Sequence, residues 1–287
     1  MPITVSINSN GSESIYTVQW PVKFISRSNL KSVYDFLWRC RTYGELSADR
    51  ITDLQNKFRL SPEIISIVHR IVITQKSIFA RSKINKDVVK REYATNDITD
   101  LAAKYDVPPL LLLRTILIES GYSSSALYGM YKTLEPEKYL HGRDLKQYYL
   151  AAENDITNAQ HQKKVGEDAA LAEKKFVEKF HGIGVSYKTQ DDLVSEQVKQ
   201  HGRAIITPDV LVTGILYING KRIHWIDYKN YVLIPDTFIH KSVLEQAARY
   251  NREFGPGAIM FEYGCPHLNI PKTLIITGES FDEILKD

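Results

Sequence analysis

Residues 207–229 read TPDVLVTGILYINGKRIHWIDYK, and the organisation of the C-terminal half follows from them. Two apolar runs, Val210 to Ile218 and Arg222 to Tyr228, flank Asn219-Gly220. Asn and Gly both accept the positive φ that a type I′ turn demands, so the stretch predicts a β-hairpin. Side chains alternate along a strand, which sets Asp227 and Lys229 on one face at the end of the second strand. Asp209, behind Pro208 at the entry to the first strand, reaches the same spot. Two carboxylates and an ammonium at one point suit phosphodiester hydrolysis. That reaction needs an activated water, charge stabilisation on the phosphate and help for the leaving oxygen, and divalent ions held by carboxylates supply these. Hard oxygen ligands select Mg²⁺ or Mn²⁺ as the cofactor. The lysine would orient the attacking water or stabilise the charge of the transition state.

The Asp/Glu-x-Lys pattern by itself is weak, because Asp144-Leu145-Lys146 and Glu173-Lys174-Lys175 also match it. Both of those lie in helical stretches with no preceding Pro-Asp strand, and Pro235-Asp236 follows the lysine motif in the wrong order. The alternative to a catalytic hairpin is a surface hairpin whose Asp227 and Lys229 form a weak ion pair.

The surroundings of the hairpin set the fold class. Upstream, residues 166–180 read as a helix with Val165, Ala169, Ala172, Phe176 and Phe180 on one face, followed by a short strand candidate at 204–206. Downstream, a helix from about Lys241 to Phe254 stops at Gly255-Pro256-Gly257 and gives way to the strand AIMFEY. Gln246 and Tyr250, four apart, share a helix face and can stand beside the acidic pair. Helix, strands, helix, strand is the alternation of an α/β domain, assigned to residues 165–287.

The N-terminal half is organised differently. Residues 1–25 alternate weakly around Asn10-Gly11 and read as a small hairpin or loose extension. Residues 26–122 contain a repeat: ITDLQNKFRLSPEIISIVHRIV begins at Ile51 and ITDLAAKYDVPPLLLLRTILI at Ile98. Each copy is a short amphipathic helix, a Pro-containing turn and a second apolar helix, which is helix-turn-helix grammar. Second helices this apolar favour packing or phosphate contact over base reading. Between the copies runs the densest basic strip, Lys76, Arg81, Lys83, Lys86, Lys90 and Arg91, a candidate phosphate-binding surface whose bland reading is a solvated helix face. Residues 123–164 are polar, Tyr-rich and read as a helical connector.

Composition narrows the classes. At 287 residues with 43% hydrophobic and 25% charged side chains, the chain is of ordinary globular make-up. Two cysteines far apart, Cys40 and Cys265, make no disulfide framework, and no run of about 18 apolar residues is present. An intracellular protein of the nucleus or cytoplasm, with no membrane association, is therefore expected. The eight histidines show no zinc-ligand spacing, and neither phosphate-loop nor nucleophile-elbow motifs occur.

TPDVLV, GKRIHWIDYKN and QAARYNREFGPGAIMFEYG together resemble the TPD-motif family within the PD-(D/E)xK nuclease superfamily, with similarity extending over roughly residues 45–264. The resemblance implies an α/β restriction-endonuclease-like catalytic domain, related to Holliday-junction resolvases, preceded by an all-α domain with helix-turn-helix repeats. It implies a metal-dependent nuclease, endo or exo, with DNA ahead of RNA as its substrate and Asp209, Asp227, Lys229, Gln246 and Tyr250 at the site. The superfamily often adds a carboxylate from its first core helix; by position this is Glu167, with Glu173 the alternative. The family's animal member carries Glu where this chain has Asp227, which bears on metal preference, and its naming for a protein partner implies a partner here too. The competing expectation is an inactive nuclease fold serving as a nucleic-acid-binding or adaptor module.

Overall fold

In a computed structural model, which describes residues 4–10, 13–20, 22–80, 84–133 and 135–278, the chain forms two compact units. One comprises residues 1–31 and 168–287, the other residues 32–167.

The first unit is built on a seven-stranded mixed sheet. Strands β1 (Thr4–Asn10) and β2 (Glu13–Gln19) form an antiparallel hairpin, and β2 continues parallel to β4 (Val210–Ile218). Of the two expectations for this segment, Thr4–Asn10 and Glu13–Gln19 form the hairpin. Val18 and Trp20 are core residues, and the Trp20 indole donates to the Thr277 carbonyl at 3.1 Å. The turn residues Gly11 and Ser12 lie outside the described residues. Strand β3 (Tyr187–Thr189) pairs with the start of β4. β5 (Lys221–Lys229) pairs antiparallel with β4 through Asn219 (φ 49°) and Gly220 (φ 74°), the two positive angles of the expected turn.

β6 (Gly257–Phe261) lies parallel to β5, and β7 (Thr273–Thr277) parallel to β6. β6 is buried at every position, as an inner strand covered on both faces must be. Ala258 and Met260 face a cluster with Ile226, Tyr228 and Phe176, whereas Ile259 and Phe261 face a second cluster with Trp225, Ala247 and Tyr250. Helix α9 (Ala159–His181) supplies Phe176 to the first face, and α11 (Phe238–Phe254) covers the second. Gly257 has no substitute: a Cβ there would stand 2.2 Å from the Trp225 ring.

The strand expected at 204–206 does not form. Its backbone is satisfied by one side chain, Gln197 of helix α10 (Gln190–His201), which accepts from the Ile205 and Ile206 amides and donates to the Ile206 carbonyl. A side chain thus does the pairing that a neighbouring strand would do.

The second unit is helical. α2 (Ala48–Phe58) with α3 (Pro62–Ala80), and α5 (Ile98–Tyr105) with α6 (Pro109–Glu119), are the two copies of the repeat. Both first helices end on a left-handed residue at the equivalent place, Arg59 and Asp106, each with φ 54°. The second helices are core elements. Leu110, Leu112, Leu113, Ile116 and Leu117 are buried and no residue from Leu110 to Glu119 is fully exposed. α6 is left without the free polar face of a base-reading helix.

Residues 123–164 are not a connector either. α7 (Ser124–Thr133) and α8 (Gly142–Glu153) bury Leu127, Met130, Tyr148 and Ala151 in the same core as α5 and α6. They also close the ends of the repeat helices. Gln147 accepts from the Ile98 amide at 2.7 Å and donates to Asp97, and Asp155 accepts from the Leu110 amide at 3.0 Å. These side chains satisfy orphan N–H groups at two helix starts. Helix α4 (Lys86–Tyr93) joins the copies.

Candidate active site

Asp209 and Asp227 meet because of strand register. Val210 pairs with Ile226 and Leu211 with Trp225; continued by one residue, that register sets Asp209 across from Asp227 on the same face of the sheet. Both are buried, at 7% and 2% exposure. Asp209 Oδ2 accepts from the Tyr228 amide at 2.6 Å. Asp227 Oδ1 accepts from Gln246 Nε2 at 3.2 Å, and Lys229 Nζ stands 2.5 Å from Asp227 Oδ2. Both the charge of Lys229 and its contact with Oδ2 favour the ionised form of Asp227.

Helix α11 braces this corner. Gln246 also donates to the Tyr250 hydroxyl at 3.0 Å, and that hydroxyl donates to the Thr207 carbonyl at 3.2 Å, tying the helix to the Thr-Pro-Asp turn. The Tyr250 ring packs edge-on against Trp225, with centroids 5.0 Å apart. The expectation that Gln246 and Tyr250 flank the acids is thus met geometrically.

The charge state follows from the burial. Desolvation, and next the charge of Asp227, push the Asp209 carboxyl up to about 8. Asp227 is also raised by burial, against the lowering effect of Lys229. Glu173 on α9 is raised, first by its own burial and then by the charge of Asp227.

Glu167 is not part of this group. It is exposed, with Lys163 3.9 Å away on the same helix. Phe176, stacked on Tyr228 at 5.1 Å, defines the sheet-facing side of α9. Glu173, three residues earlier, shares that side; Glu167, nine residues earlier, falls about half a turn away at the α-helical 100° per residue. Thr207, which sequence reasoning did not single out as a site residue, also belongs here through its carbonyl.

Among the described residues no group of three or more His, Cys, Asp or Glu side chains is disposed to hold a metal ion. Two buried carboxylates facing each other nevertheless fit a hard divalent cation, since Mg²⁺ keeps several waters and takes one or two carboxylates.

The basic strip is only partly available to phosphate. Lys76 is buried at 4% exposure, where its ammonium donates to Asp106 at 2.7 Å and to the Cys40 carbonyl at 2.8 Å. It is a core cation and not a surface one. Arg81 and Lys83 lie outside the described residues. Lys86 and Lys90 are exposed and reach Glu119 through its carboxylate and its carbonyl, and Arg91 is exposed.

Residues 143–277 match a family described as a protein of unknown function with the TPD sequence motif. The match covers the site and the whole of β4 to β7; it begins well after residue 45 and runs past Cys265. An uncharacterized protein of Acanthamoeba polyphaga mimivirus is 40% identical over 104 residues, which are 34% of this chain and 36% of that protein. The chain therefore spans about a third of the length of this curated relative. No solved structure matches the chain.

Proposed function

We propose that the chain is a divalent-metal-dependent nuclease that hydrolyses phosphodiester bonds in DNA, branched or flapped forms included, on a restriction-endonuclease-like core. The observation that carries this reading is the meeting of buried Asp209 and Asp227 with Lys229 Nζ at 2.5 Å from Asp227. Burying two facing carboxylates is costly without a counter-charge: Lys229 pairs with Asp227, Asp209 is neutral only while it keeps its proton, and a divalent cation would compensate both. The order helix, Pro-Asp strand, Asp-x-Lys strand, helix with Gln and Tyr, strand supports the fold assignment. A protein partner and an intracellular location, in nucleus or cytoplasm, belong to the same reading.

Asp209 and Asp227, with Glu173 beside them, would hold Mg²⁺ or Mn²⁺. When bound, the metal polarises the phosphate and lowers the pKa of a water. With a cation on the carboxylates, Lys229 would be free to point at the phosphate or hold the water. Gln246 fixes Asp227 Oδ1, and Tyr250 fixes the Thr207 turn. No helix among the described residues is long and apolar enough to cross a membrane.

The test is a panel of labelled single-stranded, duplex, flap and four-way DNAs, and matching RNAs, with and without Mn²⁺. Asp227→Asn should abolish both cleavage and the metal-dependent rise in Tm, whereas Lys229→Ala should lose cleavage by about 10²-fold or more and keep metal binding. Metal binding without cleavage of any substrate would favour the adaptor reading.

A further inference from the structure

The helical unit holds a cavity of about 230 Å³ whose walls include Trp38, Phe79, Tyr105 and Ile84, with Lys76 and Asp106 also lining it. Trp38 and Phe79 meet edge-on with centroids 6.2 Å apart. Phe79 is 56% exposed, an unusual position for a Phe at the end of a core helix. The cavity cannot favour a cation, because Lys76 already holds that place, within 5.9 Å of the Trp38 ring and 5.6 Å of Tyr43. Asp106 receives Lys76 and the Tyr43 hydroxyl on Oδ1, so both bonds fall on one oxygen. Its side chain is 40% exposed, which leaves Oδ2 to accept from a ligand.

We propose that this cavity takes a single unpaired nucleobase of a DNA strand. Aromatic walls suit the π-face of any base, and a carboxylate oxygen suits an exocyclic amine, as in the pairing of Asp with cytosine N4. A Phe side chain of a peptide would fill the walls and leave the Asp106 oxygen without a donor, and a Tyr or Trp, which could supply one, brings no phosphate for the basic side chains beyond. The sugar-phosphate chain of a nucleic acid has its counterpart close by, since α4 starts two residues after Ile84 and carries Lys86, Lys90 and the exposed Arg91. The inference rests on reading the chain as nucleic-acid-binding, and it adds that unpaired bases, amine-bearing ones above thymine, are what the helical unit selects.

The experiment uses the full chain in EDTA, so that no cleavage intervenes, and follows tryptophan emission. Trp20 and Trp225 are at 2% and 0% exposure, so a ligand-dependent change reports on Trp38. Single-stranded oligodeoxycytidylate should quench the emission, oligothymidylate more weakly, and a blunt duplex least. Phe79→Ala, a change at an exposed position that leaves the fold intact, should weaken oligodeoxycytidylate binding by about 5- to 100-fold, the loss of one stacking contact. Asp106→Asn should remove the preference for cytosine over thymine; if it fails to fold for want of a partner to Lys76, the Phe79→Ala result decides alone. Absence of quenching, or equal binding by wild type and Phe79→Ala, overturns the proposal. Quenching without Mn²⁺-dependent cleavage would instead remove the nuclease reading, and cleavage without quenching would remove only this one.

Discussion

At the scale of residues, the acidic corner makes stability depend on pH in a direction that can be worked out. Asp209 and Asp227 are raised above ordinary carboxylates, chiefly by burial. In the unfolded chain an Asp ionises near pH ~4. Below that value both states are protonated and the burial carries no charge penalty. As pH rises, the unfolded state releases protons that the folded state retains, and stability is lost until Asp209 itself ionises at about 8. The pair by itself should therefore cost the metal-free protein stability as pH rises from about 4 to 8, a loss read as the change over that range in the Tm difference between wild type and Asp209→Asn. Asp209→Asn keeps an acceptor for the Tyr228 amide and should flatten much of that slope; saturating Mg²⁺ or Mn²⁺ should flatten it in the wild type. A Tm difference between wild type and Asp209→Asn that stays constant over this range in EDTA would contradict the burial of the pair.

At the scale of elements, helix phase separates two carboxylates that spacing alone leaves as alternatives. The face of α9 that Phe176 turns to the sheet carries Glu173 and not Glu167. Glu173→Gln should lower Mn²⁺-dependent cleavage by roughly 10-fold or more, through loss of a charged group at the metal, while Glu167→Gln stays at the wild-type rate. The reverse pattern would mean that α9 is rotated from the placement described. The second helix of each repeat makes a different prediction. Leu113 is wholly buried within α6, so Leu113→Ala should cost about 2–5 kcal/mol of stability. The effect would be read as a lower midpoint in urea, as for a core helix and not for a groove-reading one.

At the scale of the molecule, the N-terminal hairpin belongs to the same sheet as residues almost two hundred positions away. Ile15 to Val18 pair with Ile215 to Ile218, Asn219 brackets Trp20 with two hydrogen bonds, and Trp20 reaches Thr277. Trp20→Ala should therefore destabilise the sheet unit by about 3–5 kcal/mol, as for truncation of a buried aromatic, and lower its Tm. An unchanged melt would return these residues to an extension.

What the sequence by itself determined was everything that depends on covalent spacing. The Asn219-Gly220 turn, the shared face of Asp227 and Lys229, the shared face of Gln246 and Tyr250, and the two helix pairs ending at Arg59 and Asp106 all follow from a period of two or 3.6 and from turn chemistry. Tertiary structure decided the rest, because those features depend on contacts between residues far apart in the chain. Which side of α9 meets the sheet needed Phe176 against Tyr228. Lys76 reads as one of a basic strip until Asp106 and the Cys40 carbonyl close over it. Residues 204–206 read as a strand by composition, yet a glutamine from α10 takes up their backbone groups. Residues 123–164 read as polar linker because their apolar side chains are spread thinly, and only docking on α5 and α6 shows that those few are core. A one-dimensional pattern reports which face of an element is apolar, and not which partner that face finds.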